Sequence, residues 1–293
     1  MMKDDSAKIK YIGYEDIGES YSGDSLFKKT NIDEKYMKIR DIIGDGLLLD
    51  LACGDGIYSV PLIKLGVKVI SMDISDKMLS LLYKRAKIEE VDTSNLLVCR
   101  ANALNIPLID NSVDAVIASG VLHLISKPEV VVKEIYRVLK KGGKYIAFQD
   151  KPNAKYVNEN GLTEEEKAEN RKYFELLNFV HKRYFEIVKN KYNISSTRYS
   201  WAFDREKVCD QFFDNKQIYT ISANLKVSDT FKNLFLNRMN GKGFSDQSDV
   251  PENIHKEVFH KVMSEFTDKF GASAVDTVFT GYKNDIEISV YSK

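Results

Sequence analysis

The sequence lacks several features that would each point to a particular class of protein. Its three cysteines are far apart and form no CxxC pair, which argues against a disulfide framework or a zinc cluster. With only five prolines, it leaves little room for low-complexity linkers. The longest apolar stretch, 115–125, is too short to span a bilayer, and the first residues are acidic where a signal peptide is apolar. We therefore expect a cytoplasmic protein with neither a metal nor a membrane as partner.

An excess of charge of one sign is also missing. The chain has 43 Lys+Arg and 43 Asp+Glu, which gives a formal net charge of zero. A domain dedicated to nucleic acid usually presents a net basic face, so nucleic acid is not the expected partner. The 293 residues, 43% of them hydrophobic, suffice for one large domain, or for one domain with a substantial insertion.

Residues 46–150 alternate short apolar runs with amphipathic stretches. The runs predict strands at 47–51, 67–72, 96–99, 113–119 and 144–149. The stretches between them predict helices at about 56–65, 76–89 and 128–139, the last ended by a glycine pair at 142–143. Strands that alternate with helices of this length predict a parallel, doubly wound α/β sheet.

The pattern changes after residue 150. Thr163 and Glu166 have the spacing of a capping box at the start of a long helix over 163–190. Further helices are predicted at 204–213, 228–240 and 252–270, and strands at 217–223 and 286–291. We expect these segments to add helices to the sheet rather than to repeat its βα units.

A glycine loop follows the first predicted strand and opens a helix. It reads Asp50-Leu51-Ala52-Cys53-Gly54-Asp55-Gly56, and Asp73 ends the next strand. An acid about twenty residues after such a loop, at the end of the next strand, accepts hydrogen bonds from ribose hydroxyls. Glycine lets the backbone approach a ligand closely. The segment therefore predicts a site for a cofactor that contains a nucleoside.

A dinucleotide is the first alternative for that cofactor. Its fingerprint needs a third glycine, which is absent here. Asp55 is also expected to place a negative charge beside the pyrophosphate, which is unfavourable. A sulfonium cofactor has no phosphate, and Asp50 suits its positive groups. Asp73 serves either cofactor and does not discriminate between them.

Five segments in order resemble the motifs of class I S-adenosylmethionine-dependent methyltransferases of the small-molecule type. They occupy residues 49–56, 72–75, 101–114, 119–124 and 134–143, so the resemblance covers roughly 46–150. It implies S-adenosylmethionine as cofactor and S-adenosylhomocysteine as product. It also implies a Rossmann-like, seven-stranded sheet whose last strand, 286–291, runs antiparallel beside 217–223.

The resemblance assigns roles to the residues that match the motifs. Gly54 and Gly56 admit the cofactor, Asp50 helps to place its amino-acid end directly or through water, and Asp73 holds the ribose. Ile74 and Met78 would flank the adenine, and Asn102 and Ala103 would meet its edge. Ser119, Val121 and His123 would lie beside the methionine end. The chain departs from the usual pattern at two positions, where Ala52 replaces a common glycine and Asn102 a common aspartate, and we expect the second change to weaken cofactor binding.

Outside the motifs, the expectations concern the acceptor. His123 is the candidate general base, with a role in fixing its loop as the alternative. Tyr21 is predicted to line the cofactor site; Tyr14, Trp201, Phe203 and Arg238 are predicted to line the acceptor pocket, with core or surface positions as the alternatives. Cys53 is better explained as a small loop residue than as a nucleophile.

The predicted organisation is a lid at 1–45, the cofactor core at 46–150, cap insertions at 151–203 and 224–282, and core elements at 204–223 and 283–293.

These features together predict an enzyme that methylates a small organic acceptor, as a monomer or homodimer. Two alternatives stay open. One is a methyltransferase that acts on RNA or protein, which zero net charge disfavours for RNA. The other is a protein that binds S-adenosylmethionine without turnover, since methyl transfer has no obligatory catalytic residue.

Overall fold

The structure is a computed structural model that describes residues 34–148, 157–158, 161–194, 205–221, 226–244, 247, 249–283 and 286–293. Within these ranges the strands are β1 Leu47–Leu51, β2 Lys68–Asp73, β3 Leu96–Arg100, β4 Val113–Ile117, β5 Leu139–Phe148, β6 Val157–Asn158, β7 Asn215–Ile221, β8 Lys226–Thr230, β9 Val278–Lys283 and β10 Ile286–Ser292. The helices are α1 Glu34–Ile43, α2 Ser59–Lys64, α3 Asp76–Ile88, α4 Pro128–Val138, α5 Glu164–Tyr192, α6 Arg205–Cys209, α7 Asn237–Asn240 and α8 Glu252–Phe270. Tyr14, Tyr21, Trp201 and Phe203 lie outside the described residues.

The chain divides into two units. The described part of the first unit comprises 34–148, 205–221 and 286–293, and that of the second lies within 157–194 and 226–283. The first unit contains a seven-stranded sheet in the order β3-β2-β1-β4-β5-β10-β7. Strand β10 runs antiparallel to both of its neighbours, while β1 to β5 pair in parallel. The predicted doubly wound sheet with an antiparallel last strand is therefore confirmed.

Both faces of this sheet are buried because helices cover them. Successive residues of a strand point to opposite faces, so Leu48 and Leu49 join different cores. Leu48 packs with α1 and α2 residues such as Ile39 and Leu62, and Leu49 with α4 residues such as Val132. All five of these side chains are fully buried, which explains why the strands read as continuous apolar runs.

The second unit forms a separate core. Its three-stranded antiparallel sheet has the order β6-β9-β8, and α5 and α8 supply most of the buried aromatic and aliphatic residues. The predicted capping box is present: Thr163 Oγ1 accepts from the Glu166 amide at 3.1 Å, and a Glu166 carboxylate oxygen accepts from the Thr163 amide at 2.8 Å. Within the described residues, no helix is long and apolar enough to cross a membrane.

Three local predictions are wrong. Helix α2 begins at Ser59 rather than near 56, because Gly54 and Gly56 have positive φ angles that do not belong to a helix. Strand β5 begins at Leu139 rather than 144, so the pair at 142–143 lies inside a strand and does not end a helix. Residues 226–230 form a strand rather than the start of a helix, because they pair with β9, which the sequence pattern did not reveal.

Candidate cofactor site

The predicted cofactor residues follow neighbouring strands of the first unit. Strand β1 lies between β2 and β4, and the order of the strands reverses there. In open α/β sheets, ligands bind at this switch point, outside the carboxyl ends of the strands. The glycine loop follows β1, Asp73 is the last residue of β2, and Ser119 comes just after β4. The fold thus brings the three sequence segments to one edge of the sheet.

The glycine loop is held in a left-handed backbone conformation at three residues. Ala52, Gly54 and Gly56 have φ angles of 57°, 55° and 82°. A Cβ added to Gly56 would lie 2.9 Å from Leu82 Cγ, whereas one added to Gly54 would meet nothing within 4 Å. Gly56 is therefore needed for packing, and Gly54 leaves an open face at the site. The left-handed backbone conformation of Ala52 costs about 1 kcal/mol of stability.

Asp73 is joined directly to the glycine loop. Its Oδ2 accepts a hydrogen bond of 2.9 Å from the Gly54 amide, and its Oδ1 accepts one of 2.9 Å from the Ser75 amide. These bonds fix the orientation of the carboxylate beside the loop. A carboxylate oxygen accepts more than one hydrogen bond, so the same group can also accept ribose hydroxyls.

Asp50 lies beneath the loop rather than on its surface. Asp50 is only 2% exposed, and its Oδ2 accepts a 2.5 Å hydrogen bond from Ser59 Oγ. Ser59 Oγ is in turn 2.6 Å from Ser71 Oγ. Burial raises the pKa of Asp50 to about 7, although the bond from Ser59 opposes that shift. Asp50 is therefore an acid that titrates near neutral pH.

The residues predicted to surround the adenine fall in two short segments. Ile74 is half-buried after β2, and Met78 is buried in the first turn of α3, where its amide donates to Ser75 Oγ at 3.2 Å. Asn102 is half-buried, and its Oδ1 accepts a 3.0 Å hydrogen bond from the Leu104 amide. That bond closes a turn, and Ala103 is buried inside it. Asn102 therefore shapes this loop, whatever it contributes to binding.

The segment after β4 contains the predicted residues for the methionine end. Ser119 is half-buried, and its Oγ donates to Tyr58 OH over 3.5 Å. Val121 is buried, and His123 is half-buried in a 3-10 turn over Leu122–Leu124. The turn gives His123 a fixed backbone position just beyond the end of β4.

An aromatic cluster at this edge was not predicted. Tyr58 stacks on Phe148 with ring centroids 4.8 Å apart, and it meets Tyr36 edge-on at 6.3 Å. The Lys35 ammonium lies 4.1 Å from the Tyr36 centroid and 5.2 Å from that of Tyr58. Tyr58 links the loop after β1 to Ser119 after β4, and its position two residues after Gly56 was the available signal.

The expectation for Asp55 is wrong. Its carboxylate does not face the place of a phosphate but accepts a 2.6 Å hydrogen bond from Arg85 Nη2 of helix α3. Both side chains are buried. The negative charge of Asp55 therefore gives no reason to exclude a dinucleotide, and that exclusion rests on the missing third glycine.

Arg238 and Cys53 are the two remaining candidates. Arg238 lies in the second unit, where its Nε donates to the Gly243 carbonyl at 2.9 Å and its guanidinium covers the Phe244 ring at 4.5 Å. Burial raises the pKa of the Cys53 thiol well above its usual range, which opposes a role as nucleophile. Among the described residues, no group of His, Cys, Asp and Glu side chains is arranged to hold a metal ion.

Comparison with known proteins matches residues 49–147 to a family described as a methyltransferase domain. An uncharacterized chloroplastic methyltransferase of Arabidopsis thaliana is 34% identical over 117 residues, which cover 39% of this chain and 32% of that protein. The demethylmenaquinone methyltransferase of Oceanobacillus iheyensis is 31% identical over 116 residues, 39% of this chain and 48% of that protein. The chain thus spans less than half the length of either relative.

A solved structure extends the similarity beyond the matched residues. The YcgJ protein of Bacillus subtilis is 15% identical, covers 88% of this chain and 97% of its own, and superposes with a TM-score of 0.50. At this identity the likeness concerns the fold. The family match covers the five motif segments, and the strand order and glycine loop agree with it. Residues 49–147 are therefore similar in sequence and in fold to a methyltransferase domain.

Proposed function

We propose that this chain transfers a methyl group from S-adenosylmethionine to a small organic acceptor. The observation that supports this most strongly is the junction of Asp73 and Gly54 at the switch point of the sheet, within the matched domain. It combines a carboxylate suited to ribose with a loop whose open face admits a ligand. The whole reaction is a proposal because the match to relatives is confined to one domain.

The residues present fit the cofactor. Gly54 has no neighbour within 4 Å of the position of a Cβ, so its backbone is accessible to a ligand. Asp50, Asp73 and the ring of Tyr58 offer negative or π-electron density, which suits the ammonium and sulfonium of S-adenosylmethionine. Asp50 lies beneath the loop and would act on the ammonium through water rather than by direct contact. Ile74 and Met78 supply apolar surface for a purine, and Asn102 and Ala103 would border its edge.

S-adenosylmethionine supplies the electrophilic methyl group, and transfer is an in-line displacement at that carbon. The chain's own contribution is to bind, orient and keep water away from the reacting atoms. Ser119, Val121 and His123 would border the methionine end. A general base is needed only when the acceptor is not already a nucleophile, and His123 is the residue we assign to that role.

We propose that the lid and the cap insertions determine the acceptor. Tyr14, Trp201, Phe203 and Arg238 are the candidate residues to line the acceptor pocket, and Tyr21 is the candidate to line the cofactor site. The relatives named demethylmenaquinone methyltransferases make a quinone-type acceptor the first class to test. The match covers about half of that relative's length, so its acceptor is a starting point for screening.

The two alternatives make different predictions. A methyltransferase that acts on RNA or protein would release S-adenosylhomocysteine only with a macromolecule present. A non-catalytic binding protein would bind S-adenosylmethionine and show no turnover with any acceptor. We place the protein in the cytoplasm as a monomer or homodimer, and its described cysteines are free, as a reducing compartment favours.

The proposal is tested by calorimetric titration of the whole chain with S-adenosylmethionine, S-adenosylhomocysteine and NAD. We expect micromolar binding of the first two and none of NAD. Binding of NAD alone would overturn the proposal. A panel of small phenols, quinols, amines and carboxylic acids, scored by release of S-adenosylhomocysteine, then separates a small acceptor from the alternatives.

A further inference from the structure

Four charged side chains, three of them buried, form a network behind the glycine loop. Arg85 is only 2% exposed and is among the largest fully buried side chains described. Its Nη2 donates to Asp55 Oδ2 at 2.6 Å, and its Nη1 lies 3.6 Å from Glu89 Oε1, one turn further along α3. Lys64, the last residue of α2, donates to Glu89 Oε2 at 2.7 Å. Two acids and two bases balance, so no charge in this network is buried alone.

Arg85 contacts Asp55 at two places. Besides the carboxylate, its Nε donates to the Asp55 backbone carbonyl at 3.0 Å. Asp55 stands between Gly54 and Gly56, whose φ angles are 55° and 82°. The planar guanidinium fork therefore binds the peptide segment that joins the two glycines, a geometry that the single ammonium of a lysine cannot reproduce.

This contact matters because the segment that it holds contains two glycines. Glycine has more backbone freedom than any other residue, so a loop with two glycines loses much entropy when it binds a ligand. Holding the loop in its bound shape beforehand removes that cost. The amides of Gly54 and Gly56 donate to Asp73 Oδ2 at 2.9 Å and to the Cys53 carbonyl at 3.0 Å, and both bonds require the same loop shape.

We propose that Arg85 is a positioning residue for the cofactor: from behind, it holds the Gly54–Gly56 backbone in the shape that S-adenosylmethionine binds. This inference rests on the proposed function. It assigns part of the cofactor affinity to a side chain that does not touch the cofactor. Arg85 acts through Asp55, and the remainder of the network, Glu89 and Lys64, supports the helices.

The test compares Arg85→Met, Arg85→Lys and Lys64→Met. The two methionine variants remove one positive charge each from the same network, so they match in charge, but only Arg85 touches the loop. Arg85→Lys keeps the charge and loses the fork, and it serves if Arg85→Met does not fold. Each variant is titrated with S-adenosylhomocysteine at a temperature where circular dichroism shows it folded. Exchange of the amides at 53–57 is measured in parallel without ligand.

We expect both Arg85 variants to raise the Kd by about tenfold or more and to accelerate amide exchange in the loop. Lys64→Met should lower the melting temperature but leave the Kd within about twofold and the loop exchange unchanged. A Kd and loop exchange for Arg85→Lys equal to those of the wild type would overturn the inference. So would a Lys64→Met effect as large as that of Arg85→Met. If the wild type binds no cofactor, the proposed function fails, and loop exchange still decides whether Arg85 orders the loop.

Discussion

The two units use their buried polar groups for different purposes. In the first unit, Asp73 lies at the carboxyl end of β2 and is joined to the glycine loop, at the edge of the sheet where ligands bind in this kind of fold. In the second unit, Asn170 Nδ2 donates to the Thr280 carbonyl at 2.6 Å, and Asn170 Oδ1 accepts from the Thr280 amide at 2.9 Å. That amide joins α5 to β9 and serves the fold alone. A buried polar group therefore suggests binding only when its position in the fold also exposes it to a ligand.

The same contrast holds for the buried histidine of the second unit. His255 Nδ1 lies 2.8 Å from Tyr184 OH, and its Nε2 lies 2.7 Å from the Asn240 carbonyl oxygen. Both ring nitrogens are therefore used within the unit, and desolvation lowers the pKa of the imidazole. His123 of the first unit, by comparison, lies half-buried at the edge of the sheet. His255 therefore has a structural role, and His123 stays the proposed general base.

The largest expected effect is on cofactor affinity, through Asp73→Ala. Loss of the carboxylate removes the acceptor for ribose hydroxyls and releases the Gly54 amide. Charge-assisted bonds of this kind are worth about 3 kcal/mol together, or about a hundredfold in Kd for S-adenosylmethionine. Asp229→Ala, which removes a carboxylate from the second unit, is the control. Equal Kd values for the two variants in calorimetry would contradict the assignment of the site to the first unit.

Asn170→Ala tests the same contrast between the two units with a buried amide of the second unit. It leaves both backbone groups of Thr280 without the buried amide, so we expect a loss of about 2–4 kcal/mol in the free energy of unfolding. The Kd for S-adenosylmethionine should stay within about twofold of the wild type. Urea titration gives the first quantity and calorimetry the second, with the exposed Asn237→Ala as control. A tenfold change in Kd would show that the second unit takes part in cofactor binding.

Alanine substitutions at the two loop glycines distinguish a role in packing from a role in ligand binding. In Gly56→Ala the new methyl meets Leu82 and the φ angle is unfavourable, so we expect about 2–3 kcal/mol less stability. Gly54→Ala meets no neighbour and should cost about 1 kcal/mol, but its methyl occupies the face open to the ligand and should weaken binding.

The control for Gly54 lies in the second unit. Gly271 also has a positive φ angle, 83°, and no atom within 4 Å of an added Cβ. Gly271 also has a ψ angle of 154°, a backbone conformation essentially restricted to glycine, so Gly271→Ala should lose at least as much stability as Gly54→Ala by urea titration. It should nevertheless leave the Kd for S-adenosylhomocysteine unchanged. If Gly54→Ala binds as tightly as Gly271→Ala, the open face of the loop is not part of the site.

Buried acid and buried base should give opposite dependences of stability on pH. The pKa of Asp50 is raised from 3.8 to about 7, so its contribution is present below about pH 4 and is lost as the pH rises to about 7. The lowered pKa of His255 gives stability above its ordinary value of 6.5, which is lost as the pH falls. Asp50→Asn should therefore be more stable than the wild type at pH 8, by about 1–2 kcal/mol, and not at pH 4.

Urea titrations of the wild type, Asp50→Asn and His255→Gln across pH 4 to 8 measure these slopes. His255→Gln should remove the loss of stability at acid pH. An Asp50→Asn curve parallel to that of the wild type over the whole range would mean that Asp50 does not titrate there.

The smallest effect is expected at Ala52. Its φ angle of 57° is favourable for glycine and unfavourable for alanine, so Ala52→Gly should stabilise the protein by up to about 1 kcal/mol. The melting temperature by calorimetry should rise by a few degrees, about 2–4 °C for a chain of this size. A lower melting temperature would show that the entropy of the unfolded chain outweighs the strain of the left-handed residue.

Much of the first unit could be predicted because its signals are local. The run Leu47–Leu51, the glycines after it and Asp73 specify strand, turn and acid within a short stretch of chain, and the parallel sheet follows from their alternation with helices. The second unit was harder because β8 pairs with β9, about fifty residues further along the chain. A strand whose partner is that distant has only a short apolar pattern of its own, and a helix was predicted to begin at 228, inside this strand.

The sequence by itself determined the matched motifs, the order of the βα units and the long capped helix, since each depends on neighbouring residues. Only the tertiary structure decided what the charged and aromatic side chains do. Asp55 was expected to face the ligand, but it turns to Arg85, thirty residues away, because a buried guanidinium needs an anion and the fold places helix α3 behind the loop. Tyr58 meets Ser119 for the same kind of reason: the strand order brings the ends of β1 and β4 together, and no local pattern records that proximity.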